Sequence, residues 1–490
     1  MIIWEKIQAH SLKHGDEHAI IGELEQYTWA QLAKIIGIVQ QQLSQAKHDV
    51  IALYTDNSPA WVIVDIACQL SDCTLLPLPS FFSQQQLEHA ISQAGATAII
   101  HQMNDELTSF INLSDNKMVA INSIGLILQE VNNKDASLPP GTNKITFTSG
   151  STGQPKGVCL SSQQQVKVAE SLLQATQLIR PKHLSILPFS TLLENIGGIY
   201  APLLSGGSIV AMSQESLGFN GSSGFDLAKL LTTISHYQPN SMILLPELLL
   251  ALLSAIKSGW SVPSSLQFIA VGGSKVSAGL LTFAQQAGLP VYEGYGLSEC
   301  CSVVSLNCPD DQSLGSVGKP LNHVDISIEE GEIVIRGSAF LGYINDPDSW
   351  NKDKVYTGDL GYFDEQQYLH INGRKKNLLI SSFGRNINPE WVESELLSNG
   401  LLKQCVVFGD ARPFCTALIY PLNQHETDDR LQSWIDTVNT TLPEYAQIKK
   451  WYRLQAPLSF DQKLLTSNGR PIRATIANQY STIIDQLYQG

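Results

Sequence analysis

The sequence predicts an α/β protein built on parallel sheets, with a smaller antiparallel unit in its later part. Three observations lead there. Short apolar strands alternate with helices from Thr28 to Gly296, the pattern of parallel sheets joined by crossover helices. From Ser316 to Arg336 the text changes to runs such as VDISIEE and GEIVIRG, with turn signals and period-two alternation; that pattern marks antiparallel strands in a barrel-like unit. At 490 residues the chain exceeds one ordinary core, so about two to four structural units are expected.

The elements follow in order. Trp29, Leu32, Ile35, Ile36, Val39 and Leu43 fall at helical spacing, and Thr28 stands where a cap belongs. Asp49–Thr55 reads as a strand, NSPAWVIVDIACQL as a turn and a buried helix, and Thr74–Pro79 as a second strand. Ser83–Gly95 is expected to be helical, with the strand TAIIH after it. Beyond Ile145 the alternation continues through SILPF, a helix over Leu192–Leu204, SIVAM, a helix over Phe225–His236, SMILLP, SLQFIAVGG and PVYEGYG. The glycine- and serine-rich stretch Ser213–Gly224 reads as a mobile surface loop without assigned function. No internal repeat at a fixed period is found.

Hydrophobic residues make up 43% of the chain and charged residues 16%, the composition of a globular, well-buried protein. The formal charge of -14 argues against a nucleic-acid binder, and a scattered acidic balance serves solubility. A local basic pocket would still accommodate an anionic nucleotide. Charges break every apolar run of the N-terminus, so no signal peptide is expected. No apolar run reaches ~18 uncharged residues, so no transmembrane segment is expected. The eight cysteines form no C-x-x-C pair. They read as buried free thiols in a reducing, cytoplasmic compartment, with no zinc site or disulfide framework.

The chemistry concentrates in a few motifs. Residues 145–158, ITFTSGSTGQPKGV, run from an apolar strand into a loop with Thr148, Ser149, Ser151 and Thr152 as hydroxyl donors. Gly150, Gly153 and Gly157 let backbone N–H groups approach a ligand, and Lys156 adds a positive charge. The loop suits phosphate oxygens, yet it has neither the Walker A nor the dinucleotide spacing. In VYEGYGLSEC, Tyr295 offers a ring for a purine, Ser298 a hydroxyl for phosphate, and Glu299 a carboxylate for Mg²⁺, with Gly296 between them. VGGSK carries Gly272, Gly273 and Ser274 after a buried strand. Asp359, in a TGD turn, is suited to accept from both ribose hydroxyls, and Arg374, in GRKKN, to pair with ribose or phosphate.

Taken in this order along the chain, these motifs resemble the adenylate-forming (AMP-binding) superfamily, and most of all its fatty-acyl-CoA synthetases. The resemblance implies a large N-terminal domain of parallel-sheet α/β subdomains plus a small β-barrel-like subdomain, over residues 1–372. It also implies a hinge at 373–376 and a small mobile α+β C-terminal domain at 377–490. Residues 148–153 with Lys156 would hold the β,γ-phosphates, Gly272, Gly273 and Ser274 the adenine, and Glu299 the metal. Lys376 would be the hinge residue about which the small domain turns between an adenylating and a thioester-forming posture. Gly384 resembles the glycine that passes the pantetheine tunnel in the second posture.

Two departures stand out. LLTSNGRPIRATI occupies the place of the family's lysine motif, but a Gly469-Arg470 pair replaces the usual Gly-Lys. Arg470 keeps the charge and offers a planar fork, although the two residues are not interchangeable at a point-charge site; Lys463 is a nearby alternative base. In ILPFSTLLEN, Thr191 stands where long-chain relatives carry a histidine, before Glu194. That change bears either on the carboxylate end of an acyl pocket or merely on helix packing.

The resemblance implies ATP-dependent activation of a carboxylic acid, expected to be a medium- or long-chain fatty acid, through an acyl-adenylate to a CoA thioester. ATP, Mg²⁺ and CoA are the implied cosubstrates and cofactor, with no protein nucleophile. One alternative acceptor is phosphopantetheine on a carrier protein. Another reading, raised by Arg470, is a catalytically weak nucleotide- or acyl-binding relative.

Overall fold

The computed structural model describes residues 2–102, 118–133, 136–148, 155–220, 224–460, 462–466 and 469–489. Among these, two large sheets form the body of the N-terminal part. One has nine strands, with Lys182–Ser185, Ser208–Ala211, Ser241–Leu244, Phe268–Val271 and Val291–Leu297 paired in parallel at its centre. The other has eight, with Val50–Tyr54 between Thr74–Pro77 and Ala98–His101, and Lys144–Thr148 parallel to Thr74–Pro77. Antiparallel strands close the edges of both.

Local sequence explains the helices that join these strands. Thr28 accepts from Gln31 N while Gln31 returns a bond to Thr28 N, a capping box that starts the helix Trp29–Ala46 where the periodicity places it. Ser58 accepts from Trp61 N and Pro59 takes the first turn to start the helix Pro59–Leu70, and nearly every side chain of that helix is buried. It lies in a core shared by strands of both sheets, with Trp29, Trp61, Phe189 and Tyr200 almost fully buried.

The antiparallel unit consists of Asp325–Glu329, Glu332–Arg336, Lys354–Phe363 and Leu369–Arg374, in that order across the sheet. After Asn377 the chain forms a unit with its own cores. Leu402–Phe408, Cys415–Pro421 and Ile448–Arg453 make a three-stranded sheet, flanked by Pro389–Leu397 and Asp428–Asn439 and by two C-terminal helices.

Three expectations need correction or limits. The strand expected at SILPF lies three residues earlier, at Lys182–Ser185. Pro188 cannot donate to a ladder, and Asn57 instead holds the exit by accepting from Phe189 N and donating to Leu187 O. The helix expected over Leu192–Leu204 is interrupted by wider turns at Asn195–Tyr200, where Ala201 N donates to Ile196 O. The loop expected at Ser213–Gly224 includes a short pairing of Phe219–Asn220 with Gly224–Phe225, and residues 221–223 lie outside the described residues.

Candidate nucleotide and acyl activation site

Gly272, Gly273 and Tyr295 stand at the C-terminal ends of two central strands, where Asp359 of the antiparallel unit and Arg470 of the small unit after Asn377 meet them. Tyr295, near the end of its strand, donates its hydroxyl to Asp359 Oδ2 at 2.6 Å. Arg374 Nε reaches the other oxygen, Asp359 Oδ1, at 2.7 Å. Asp359 and Arg374 are register partners on neighbouring antiparallel strands, so the sheet itself brings them together. Burial raises the Asp359 carboxyl above its usual range, while Arg374 and the Tyr295 hydrogen bond pull it back down.

The glycine turn lies beside this group. Gly273 has φ +83, and a Cβ on Gly272 would meet Gly294 O at 2.9 Å; the close approach and the left-handed backbone both call for glycine. Ser274 follows, exposed. From the small unit, Arg470 donates through its guanidinium to Gly273 O. Arg470 keeps solvent access, but surrounding protein and the like charge of Arg374 lower its pKa. Its loop is braced by Thr466, whose N donates to Arg470 O at 2.8 Å and whose Oγ1 accepts from Arg470 N at 3.1 Å. Three residues on, Arg473 forms a buried two-pronged pair with Glu393, with bonds of 2.7 and 2.6 Å. That pair ties the loop to the helix Pro389–Leu397.

The loop expected to hold phosphate is described only at its two ends. Thr148 and Lys156 are register partners across the antiparallel pair that flanks it, whereas Ser149, Gly150, Ser151, Thr152 and Gly153 lie outside the described residues. Gly157 is needed for packing: a Cβ there would meet Ile344 Cδ1 at 2.1 Å. Glu299 occupies the short turn Ser298–Cys300, beyond which Cys301 (φ 59) and Ser302 (φ 93) hold left-handed backbone. The hydroxyl of Ser298 forms no hydrogen bond among the described residues, and Gly296 is fixed in place because a Cβ would overlap Ser302 O at 1.9 Å.

Sequence reasoning missed three side chains in this region. Tyr343 donates to Glu299 Oε1 at 2.9 Å, and Lys156 Nζ lies 5.0 Å from the centroid of its ring. Lys275 Nζ donates to Ile371 O at 2.9 Å; burial lowers its pKa, and the nearby charges of Glu293, Glu395 and Glu390 oppose that. Burial pushes the Glu293 carboxyl up to about 8. The signal for Tyr343 was slight, a Gly-Tyr step before the turn signals of Asn345 and Pro347.

Other expected residues stand apart. Lys376 is exposed in the turn after Arg374, while its neighbour Lys375 pairs with Glu332 at 2.9 Å. Gly384 has φ +71 at the tip of the hairpin Leu379–Ile387, beside exposed Phe383; among the described residues no hydrogen bond or ion pair ties it to Asp359 or Arg470. The Lys463 side chain likewise makes no polar contact among the described residues. Glu194 is fully buried: His183 Nε2 lies 3.0 Å from its Oε1, and Leu187 N donates to Oε2 at 3.2 Å. Thr191 Oγ1 donates to Pro188 O at 2.6 Å. These bonds favour the packing reading of this helix start.

Chemically, the group offers a carboxylate for diol hydroxyls, three cations toward an anionic ligand, and one oxygen donor for a hard cation. Among the described residues no cluster of three or more His, Cys, Asp or Glu could hold a metal. The lone Glu299 fits Mg²⁺ brought with phosphates, since that ion keeps oxygen ligands from substrate and water rather than a protein cage. No helix among the described residues is long and apolar enough to cross a membrane.

Comparisons with known proteins match the chain to one family over most of its length. The family described as AMP-binding enzyme matches residues 7–344, and the AMP-binding enzyme C-terminal domain matches residues 376–490. A long-chain-fatty-acid–CoA ligase of Mycobacterium bovis is 23% identical, covering 93% of this chain and 90% of its own length. A 2-succinylbenzoate–CoA ligase of Staphylococcus epidermidis is 25% identical over 93% of this chain and 94% of its own. Among solved structures, an anthranilate CoA ligase in complex with anthranoyl-AMP aligns with a TM-score of 0.81 at 17% identity, covering 98% and 97% of the two chains. The O-succinylbenzoate coenzyme A synthetase of Bacillus subtilis, in complex with ATP and magnesium ion, aligns at 0.77 with 21% identity, covering 96% and 98%.

Proposed function

The chain belongs to the AMP-binding enzyme family, and we propose that it works as an AMP-forming acid–thiol ligase with its site between residues 1–372 and 377–490. A substrate carboxylate oxygen attacks the α-phosphorus of ATP, the bond to the β-phosphate bridging oxygen breaks, and pyrophosphate leaves. The acyl-adenylate is then attacked at its carbonyl by the thiol of CoA, the carbonyl–oxygen bond breaks, and AMP leaves.

The observation that carries this reading is the reach of Arg470 from the small unit to Gly273 O, beside the Tyr295–Asp359–Arg374 group. Asp359 takes the ribose hydroxyls, and Tyr295 and Gly272–Ser274 frame the adenine. Thr148, the loop through Gly153 and Lys156 hold the leaving phosphates. Arg470 meets the carboxylate and α-phosphate, where negative charge builds up. Glu299 would hold Mg²⁺, which when bound would neutralise phosphate charge. No protein nucleophile is required, because positioning and preorganised charge lower the barrier. Residues 373–376 serve as the hinge about Lys376, and Gly384 enters the thiol channel in the second posture.

For the acid, a medium- or long-chain fatty acid is the first reading, supported by the long-chain ligase among the relatives. An aromatic acid is the second, supported by the 2-succinylbenzoate and anthranilate ligases. For the acceptor, free CoA is preferred over carrier-bound phosphopantetheine. The test is incorporation of labelled pyrophosphate into ATP with a panel of aliphatic and aromatic acids, followed by addition of CoA or a holo carrier protein. Exchange with at least one acid supports the reading, and its failure with every acid overturns it.

A further inference from the structure

Tyr343 stands between two opposite charges that come from separate parts of the chain. Lys156 lies over its ring at 5.0 Å, and Glu299 Oε1 accepts from its hydroxyl at 2.9 Å. The ring is held from several sides. Tyr343 pairs with Val158 across the short strand Gly342–Tyr343, and Ile344 N donates to Gly157 O at 3.0 Å. Tyr343 N donates to Ser349 Oγ at 2.8 Å, and its carbonyl accepts from Trp350 Nε1 at 2.9 Å. Phe340 packs edge-on against the ring at 4.7 Å, and Phe340 N donates to Glu299 O at 2.8 Å.

A lysine and a glutamate within reach of one side chain attract each other, and an exposed amine such as Lys156 has the freedom to close onto the carboxylate. Among the described residues, however, no Lys156–Glu299 ion pair forms. The aromatic face instead offers the ammonium a resting place of comparable electrostatic character, and the hydroxyl fixes one carboxylate oxygen so that the other stays available.

We propose that Tyr343 is a positioning residue that keeps Lys156 and Glu299 apart, so that the lysine stays free for phosphate and the carboxylate for Mg²⁺. This rests on the nucleotide-binding reading above. Because the ring sits on a strand paired with the one bearing Lys156, the separation is built into the fold before any ligand arrives. Tyr343→Phe retains the ring and loses the hydroxyl; Tyr343→Leu loses both.

The test is titration calorimetry of ATP with the full-length protein at several Mg²⁺ concentrations, without acid and hence without turnover. Tyr343→Leu should weaken Mg²⁺-dependent ATP binding about tenfold and raise the Mg²⁺ concentration at half-saturation, with the melting temperature measured alongside. Tyr343→Phe should shift mainly the Mg²⁺ dependence. Adding Lys156→Gln to Tyr343→Leu should bring the Mg²⁺ half-saturation back toward wild type, because the collapsed charge pair is gone; a packing role would produce no such recovery. Binding by Tyr343→Leu within about twofold of wild type overturns the inference, as does a raised Mg²⁺ half-saturation that Lys156→Gln leaves unrelieved. The wild type separates the two readings. If it binds no ATP, the nucleotide reading itself fails; if it binds and the variants match it, only the role of Tyr343 falls.

Discussion

Asp359 and Arg374 face each other as register partners on neighbouring strands and close an ion pair of 2.7 Å. The sheet places the only residue of the pair with acceptor oxygens, 3% exposed, where it also receives the Tyr295 hydroxyl. A carboxylate held this way has little freedom to lose on taking the ribose hydroxyls proposed for it.

Removing it should therefore cost nucleotide affinity above all. Charge-assisted hydrogen bonds are worth about 1.5–3 kcal/mol, so Asp359→Ala is expected to raise KM for ATP by about 10- to 100-fold. Steady-state kinetics at saturating acid and CoA check this.

The same pair sets an acid limit. Burial raises the Asp359 pKa and Arg374 lowers it, so Arg374→Met should raise it further. Protonation turns one acceptor oxygen of Asp359 into a donor and removes the charge that strengthens its bonds to hydroxyls, so the acid limb of kcat/KM for ATP should move to higher pH in the variant. A pH–rate profile that does not move would contradict the assignment.

Lys144 and Asp65 form a buried pair at 2.8 Å, with Lys144 1% exposed and Asp65 0%. Lys144 also donates to Asn195 Oδ1 at 2.5 Å and to the Tyr200 hydroxyl at 2.7 Å. Lys144→Ala leaves the carboxylate uncompensated and should destabilise the protein by about 3–5 kcal/mol. Joining Lys144→Met to Asp65→Leu should recover most of that. Urea denaturation midpoints measure both.

Glu293 makes stability depend on pH. Its carboxyl, 4.5 when unperturbed, is pushed to about 8 by burial, with Lys275 and Val276 N opposing the shift. Between those values the native state holds a proton that the unfolded chain has released, so stability falls as pH rises. The contribution is whole below about pH 4.5 and gone above about pH 8. Glu293→Gln should flatten the dependence of Tm on pH and exceed wild type at pH 9, as differential scanning calorimetry would show.

Much of this architecture could be read before any coordinates. Thr28, Ser58 and Ser83 each precede an apolar helical period and each caps a helix, because the N-cap is a local interaction written in a few adjacent residues. The pairing of Asp359 with Arg374 was legible as two motifs, though not as register partners. Their contact depends on an irregularity of the ladder between Leu360 and Gly361, which no periodicity records. The strand at Lys182–Ser185 carries buried polar residues, His183 and Ser185, while the apolar Ile186 and Leu187 that mimic a strand lie beyond its end. The wide turns at Asn195–Tyr200 alter hydrogen bonding without altering which side chains are apolar. Tyr343 matters through Lys156 and Glu299, 187 and 44 positions away in sequence, a relation that only the folded chain displays.

The central claim is that Arg470 serves the first half-reaction in place of a lysine. It is tested most directly by acid-dependent exchange of labelled pyrophosphate into ATP, run beside thioester formation from supplied acyl-adenylate and CoA. Loss of one preorganised donor toward developing charge typically costs about 100- to 1000-fold. Arg470→Ala should lose that much exchange while keeping thioester formation, and Arg470→Lys should lose about tenfold because the planar fork is gone. Exchange at the wild-type rate in Arg470→Ala, or none in the wild type with any acid, would contradict the account.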